Sequence, residues 1–228
     1  MQQEKKPYDA SRSFLYAYCM KEWWPALDAN RQVLHYKKGA TIFKEGDRVT
    51  GIYFMLSGLV KVHKRWDQEK ELIVRFARNQ DIIGHRGLST SSQIYPITAT
   101  TLTPVTVCYV SVDFFQTTFK ANKEFAYHFM MFMAEELRLS EIRMRNLAHM
   151  VVRARLAGAL IAFNEQFGET DNGYIDCTLS KQDIAAYVGT AYETIYKILI
   201  EFTELGYIQT DGKKIALLNK AKLKSIIR

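Results

Sequence analysis

Proline is scarce in this chain, at 4 of 228 residues, and glycine supplies only 12. That excludes collagen-like and low-complexity chains, and 48% hydrophobic with 24% charged residues is an ordinary globular composition. The length suits one large domain or two modest ones. Long apolar runs are missing: Ile52–Leu56 and Leu156–Phe163 fall far short of the roughly 20 residues that a membrane span needs. Met1–Tyr8 is polar and Ser11–Trp24 is interrupted by charge, so neither reads as a signal peptide. Cys19, Cys108 and Cys177 are widely separated, which argues against a disulfide scaffold. The expectation is a soluble, cytoplasmic protein without membrane contact.

Catalytic patterns are missing too. No glycine-rich phosphate loop, Gly-x-Ser-x-Gly elbow or Cys-x-x-Cys is present. His35, His63, His85, His128 and His149 never approach the close His pair, carboxylate and further His of a cupin-type metal site. No catalytic residue, metal or cofactor is therefore expected, and a cupin-like enzyme is the weaker alternative. Charge is less telling than its total of +7 suggests. Residues 1–120 carry 17 basic and 11 acidic side chains, residues 121–148 carry 4 and 4, and residues 149–228 carry 10 and 9. One run is purely basic: Lys213, Lys214, Lys220, Lys222, Lys224 and Arg228 follow Gly212 with no acid among them. It reads equally as a solvated, frayed tail or as a surface for an anionic partner.

What is present falls into three textures. Up to Val112, short β-rich segments alternate with turns: Val33–Tyr36, Thr41–Phe43, Ile52–Leu56, Leu59–Val62, Glu71–Phe76, Thr98–Leu102 and Val105–Val110. Strands at this spacing predict a sandwich or jelly roll, preceded by short helices at Ser11–Lys21 and Trp23–Ala29. Asp113–Lys120 reads as a short helix, and a long one begins near Lys123. Along it Met133, Leu137, Ser140, Met144, Leu147, Val151 and Ala154 form an apolar stripe at heptad spacing, broken by Ser140. A helix paired with its own copy in a homodimer is the expectation. The segment His149–Arg153 then hands over to a second helix, Ala154–Phe167, and a short strand, Tyr174–Thr178.

The third texture is the most specific. A helix-turn-helix needs a small residue where its helices cross, a residue tolerant of positive φ in the turn, and apolar anchors on both helices. Ala185, Gly189, Ile184 with Val188, and Ile195 with Ile198 and Leu199 meet those demands at the required spacing. Ser180 suits an N-cap, with Asp183 reinforcing the first turn. Gly206, Tyr207–Thr210 and Lys214–Leu218 then read as a C-cap and a hairpin around Asp211-Gly212, which makes the module winged. In such a module the start of the second helix enters the major groove. The candidate DNA-contacting residues there are Thr190, Ala191, Tyr192, Glu193, Thr194, Tyr196 and Lys197. Lys181 and Gln182 on the first helix and Lys213 and Lys214 on the wing are candidates for the phosphate backbone.

In the roll, Gly39-Ala40-Thr41-Ile42-Phe43-Lys44-Glu45-Gly46-Asp47 is followed by Ile52–Val62. In the reader, Val188-Gly189 is followed by Glu193-Thr194-Ile195 and Lys197-Ile198-Leu199. With these motifs the chain resembles the cAMP receptor protein/FNR (Crp/Fnr) family of bacterial transcription regulators over roughly Leu34–Leu218. The resemblance implies an α+β protein of three parts. They are a double-stranded β-helix (jelly-roll, cyclic-nucleotide-binding-like) sensor domain over residues 1–120, a dimerisation helix and hinge over 121–150, and a winged helix-turn-helix over 151–228. It implies a homodimer on a two-fold symmetric site in double-stranded DNA, with RNA polymerase as a further partner. Met133, Leu137, Ser140, Met144, Leu147 and Val151 would face the dimer partner. A ligand-sensing adaptor acting through a protein partner is the alternative.

The resemblance also places an effector pocket at Gly84, His85, Arg86, Gly87, Leu88, Ile97, Thr98 and Ser140. Relatives that bind cyclic nucleotides carry Gly-Glu there and Arg-Ser or Arg-Thr about ten residues later. This chain has Gly84-His85-Arg86 and Pro96-Ile97-Thr98, so the carboxylate for the ribose and the guanidinium for the phosphate are both missing. An effector other than cAMP is expected, its identity unknown. Arg86 could approach a phosphate only from another direction. With only Cys19 near the start, the four-thiolate cluster of the oxygen-sensing branch is excluded. Haem through His63, His85, His128 or His149 stays open, although a lone histidine is more often a packing residue.

Overall fold

The computed structural model describes residues 13–66, 70–89 and 91–227. Met1–Tyr8, the first two residues of the expected Ser11–Lys21 helix, and Arg228 lie outside the described residues. Elements run α1 (Phe14–Tyr18), α2 (Trp24–Asn30), β1 (Arg31–Tyr36), β2 (Thr41–Phe43), β3 (Gly51–Ser57), β4 (Val60–Arg65), β5 (Glu71–Ala77), β6 (Ile82–Ile83), β7 (Thr98–Thr101), β8 (Val105–Ser111), α3 (Val112–Ala121), α4 (Lys123–His149), α5 (Val152–Phe167), α6 (Lys181–Val188), α7 (Tyr192–Glu204), β9 (Ile208–Asp211), β10 (Lys214–Leu217) and α8 (Lys220–Ile226). The chain divides into two compact units, Met1–Arg65 with Val74–Glu136, and Trp66–Ile73 with Leu137–Arg228. Chain connection and compactness part at different places. The compact units separate after Glu136, whereas the helix itself breaks at Met150, where Val151 is extended (φ −64°, ψ 151°) before α5 begins.

In the first unit two four-stranded sheets, in the orders β1-β8-β3-β6 and β2-β7-β4-β5, form the roll. Strand period explains why β3 reads as an unbroken apolar run. Tyr53 and Met55 point into the roll with Val60, Val62, Ala99, Val105 and Val107. Their neighbours Ile52, Phe54 and Leu56 point the other way, into a second core built by α1, α2, α3 and the start of α4. That second core is strongly aromatic, with Phe115 edge-on to both Phe125 and Phe129, which stack on each other. Cys19 and Cys108 sit in it as free thiols, and burial pushes Cys108 up to about 11.

Two expectations need correction. Tyr174–Thr178 is not a strand: it makes only single bridges, Glu169 to Ile175 and Tyr174 to Ala216, because Cys177 N–H turns back onto the Ile175 carbonyl (2.7 Å). The basic end is not a frayed tail. The Asn219 side chain caps α8 by accepting from Lys222 N–H (3.0 Å), Leu223 is fully buried, and Lys220 pairs with Glu169 (2.6 Å). Lysine-rich composition hid a helix that is anchored by Leu223, with Ile226 and Ile227 half-buried beside it.

Candidate nucleic-acid interface

The reader is assembled from short-range devices. Ser180 Oγ accepts from Asp183 N–H (3.0 Å) and donates to Asp183 Oδ2 (2.5 Å), which fixes the first turn of α6. Ile184, Ala185, Ala186 and Val188 are buried, and Gly189 ends the helix in the left-handed region (φ +74°). The Gly189 and Thr190 N–H groups both reach the Ala185 carbonyl, at 2.9 and 3.1 Å. A Cβ at Gly189 would be strained by the positive φ and would also stand 2.8 Å from Leu147 Cδ2, which would have to move aside. On α7, Ile195, Leu199 and Phe202 are buried, and this fixes which face is left outside. Ile198, expected as an anchor, is only half-buried, and Phe202 takes its place at the helical spacing.

The opposite face of α7 carries Tyr192, Glu193, Tyr196 and Lys197, all exposed, with Ala191 exposed and Thr190 and Thr194 half-buried beside them. The Tyr192 and Tyr196 rings stack (6.1 Å between centroids, 15°), and Lys181 Nζ lies 4.9 Å over the Tyr196 ring. This cation–π contact partly orders a side chain that the sequence assigned to phosphate alone. Gln182 is exposed. On the wing, β9 and β10 pair from Asp211–Lys214 onwards, leaving Gly212 (φ +59°) and Lys213 as a two-residue loop that holds Lys213 and Lys214 in solvent. The face therefore presents hydroxyl and π surface, one carboxylate and four lysines. Those are the groups that base edges and phosphates require.

Sequence reasoning missed the residue that braces this module. Arg155 on α5 donates from Nε to the Val188 carbonyl (2.9 Å), from Nη2 to Gly189 (3.2 Å), and from Nη1 to Met150 (2.7 Å) and Leu147 (3.4 Å). It thus satisfies free carbonyls at the ends of both α4 and α6, where a cation also meets the negative helix terminus. Arg143 adds a bond to the Tyr187 carbonyl (2.6 Å) and lies 4.2 Å over the Tyr187 ring. No local pattern marks either arginine.

The expected effector pocket is only partly brought together. Gly84 takes φ +87° and turns the chain into a single 3-10 turn, His85–Gly87. His85 is buried, edge-on to Phe132 (4.9 Å), with Nε2 3.5 Å from Glu136 Oε2. Arg86 donates to the same oxygen (2.9 Å), and Arg75 of β5 pairs with Oε1. Ile97 instead belongs to the roll core, the Thr98 hydroxyl accepts from Glu45 N–H (3.0 Å), and Ser140 lies in the second unit. Burial pushes the His85 imidazole below its ordinary value, and neither ring nitrogen has a hydrogen-bond partner among the described residues. Burial opposes the charged form of Glu136, but His85 and the Arg75 charge outweigh it and hold the carboxyl down at about 2. Gly87 and Leu88 face elsewhere, lining an apolar cavity of about 420 Å³ with Phe115, Phe119 and Phe129. His63 meets Thr100 Oγ1 (3.0 Å), His128 stacks on Tyr18 (3.8 Å), and His149 is exposed.

Comparisons with known proteins agree with this layout. A cyclic nucleotide-binding domain model matches residues 33–122, and a Crp-like helix-turn-helix domain model matches residues 154–226. A CRP-like cAMP-activated global transcriptional regulator of Mycobacterium tuberculosis is 27% identical over 205 residues, covering 87% of this chain and 89% of that one. A global nitrogen regulator of Synechococcus elongatus is 27% identical over 197 residues, covering 84% and 88%. Among solved structures, FixK2 from Bradyrhizobium japonicum matches with a TM-score of 0.78 at 21% identity, over 87% of this chain and 98% of that one. That last likeness speaks for the fold alone.

Proposed function

The chain belongs to the Crp/Fnr family of DNA-binding transcription regulators, and from that premise we propose how this member reads its operator and what does not switch it. It is a homodimeric, sequence-specific DNA-binding regulator. Two copies of α7 enter successive major grooves of a two-fold symmetric site, about 34 Å apart. Glu193 accepts from cytosine N4, Lys197 reaches guanine or phosphate, and the Tyr192–Tyr196 pair packs on the groove wall. Thr190, Ala191 and Thr194 complete the contact. Lys181, Gln182, Lys213 and Lys214 hold the phosphates.

The roll belongs to residues 1–120, the dimer helix and hinge to 121–150, and the reader to 151–228. RNA polymerase is the further partner, the compartment is the cytoplasm, and no catalysis is assigned. The Mycobacterium tuberculosis relative is described as cAMP-activated. In this chain the positions that would grip a cyclic phosphate are Ile97 and Thr98, one buried in the core and the other bonded to Glu45. cAMP is therefore not its effector.

The observation that carries the reading is the exposed quartet of Tyr192, Glu193, Tyr196 and Lys197 opposite the buried Ile195, Leu199 and Phe202. Selection from randomised duplexes tests it. Glu193→Ala should relax the preference at one position of each half-site, by about 1–3 kcal/mol. An unchanged selected motif removes Glu193 from base recognition.

A further inference from the structure

Glu136 is the carboxylate that meets the 3-10 turn, and the cations around it come from the roll, where the half-buried Asp81 also feels the Arg75 charge. Arg75 projects from β5, and His85 and Arg86 come from the turn that Gly84 starts. Side-chain exposure is only 12% at Glu136, 17% at Arg75, 26% at Arg86 and 2% at His85. Arg75 also donates to the Ile82 carbonyl (2.7 Å), which fixes its guanidinium independently of Glu136. Both carboxylate oxygens are engaged, Oε1 by Arg75 and Oε2 by Arg86, while His85 Nε2 stands 3.5 Å from Oε2 without a hydrogen bond. Two guanidinium groups converging on one point make a seat for an anion, because each would be costly to bury facing only the other. Guanidinium donors match a carboxylate in charge and in planar geometry.

We infer that Arg75, Arg86 and His85 form an anion-binding seat of the roll, and that Glu136 fills it as a built-in carboxylate ligand. The first part of α4 is thereby held to the roll without any added anionic effector. The regulatory consequence, which rests on the DNA-binding reading above, is that the protein binds its operator with no small molecule supplied.

The seat can be emptied chemically. Glu136→Ala removes two carbons and two oxygens, the heavy atoms of acetate. Thermal unfolding of the full-length wild type and of Glu136→Ala would be followed in sodium acetate and in sodium chloride at matched ionic strength. The variant should melt below wild type in chloride. Acetate should raise its midpoint along a saturating curve, by about 3–6 °C at ten times the half-saturating concentration. Wild type, its seat already filled, should respond to both salts alike. An equal response of the variant to acetate and chloride, or an equal acetate response in both proteins, overturns the inference. Should Glu136→Ala fail to fold, Glu136→Gln keeps the shape and loses the charge. It should melt lower than wild type without responding to acetate, and a wild-type midpoint would refute the seat. In duplex binding, Glu136→Ala should regain affinity with acetate. Wild type failing to bind any duplex without added ligand would overturn the effector-free consequence, and failing with every ligand tried would defeat the DNA reading, while the acetate titration stands in either case.

Discussion

Replacing Leu137 and Met144 together with lysine attacks the dimer through side chains that their own chain leaves in solvent. Leu137 is 61% exposed and Met144 67%, and Met133 and Val151 continue the stripe at 37% and 70%. Met130, at 54%, extends it one turn further back than the sequence reading placed it. Full burial of a leucine or methionine is worth about 1.5–3 kcal/mol, so the exposed two-thirds leaves about 1–2 kcal/mol for a partner to gain at each site. Two sites on each of two copies give about 4–8 kcal/mol in total. Association recovers only part of such a sum, and about 4 kcal/mol corresponds to roughly a thousandfold weaker dimer. Leu147 is a poor choice for this test although it shares the stripe. Its Cδ2 lies against Gly189, so lysine there would damage the reader as well. Sedimentation velocity at about 1 µM should show wild type at twice 26.4 kDa and the double variant at 26.4 kDa. Leu139→Lys, 48% exposed but off the stripe, should remain dimeric. A double variant that keeps the dimer mass would refute the assignment of this face.

Two further outcomes are expected. Arg155→Met should destabilise the protein by about 2 kcal/mol, because it strips a charged donor from carbonyls at two helix ends; a urea midpoint equal to wild type would show that water replaces the clamp at no cost. Isothermal titration with cAMP should give no saturable heat up to about 1 mM, a limit near −4 kcal/mol of binding free energy, and a micromolar isotherm would restore the cyclic nucleotide as effector.

Much of the architecture could be read from neighbouring residues because the forces that shape it act over a few positions. Ser180 meets Asp183 within one turn, Gly189 answers a local need for positive φ, and the buried set on α7 recurs every three or four residues. The strands of the roll were equally visible, apart from β6, whose two residues are too short for any period. The α8 helix was hidden for another reason: it is seven residues long, three of them lysine, and its large apolar residues are confined to Leu223 and Ile226.

Other features were beyond reach because their partners are far apart along the chain. Glu136 meets Arg75 and Arg86 across 61 and 50 residues, and Arg155 reaches Val188 across 33. Nothing in the sequence ranks Arg75 above the other basic residues of the first unit, since an ion pair leaves no spacing rule. Hydrophobic period, turn chemistry and capping thus determined the helix-turn-helix and which face of α7 is left exposed. Only tertiary structure decided which charges are buried together, because burial is set by distant segments converging and is what turns an ordinary carboxylate into a fixed ligand.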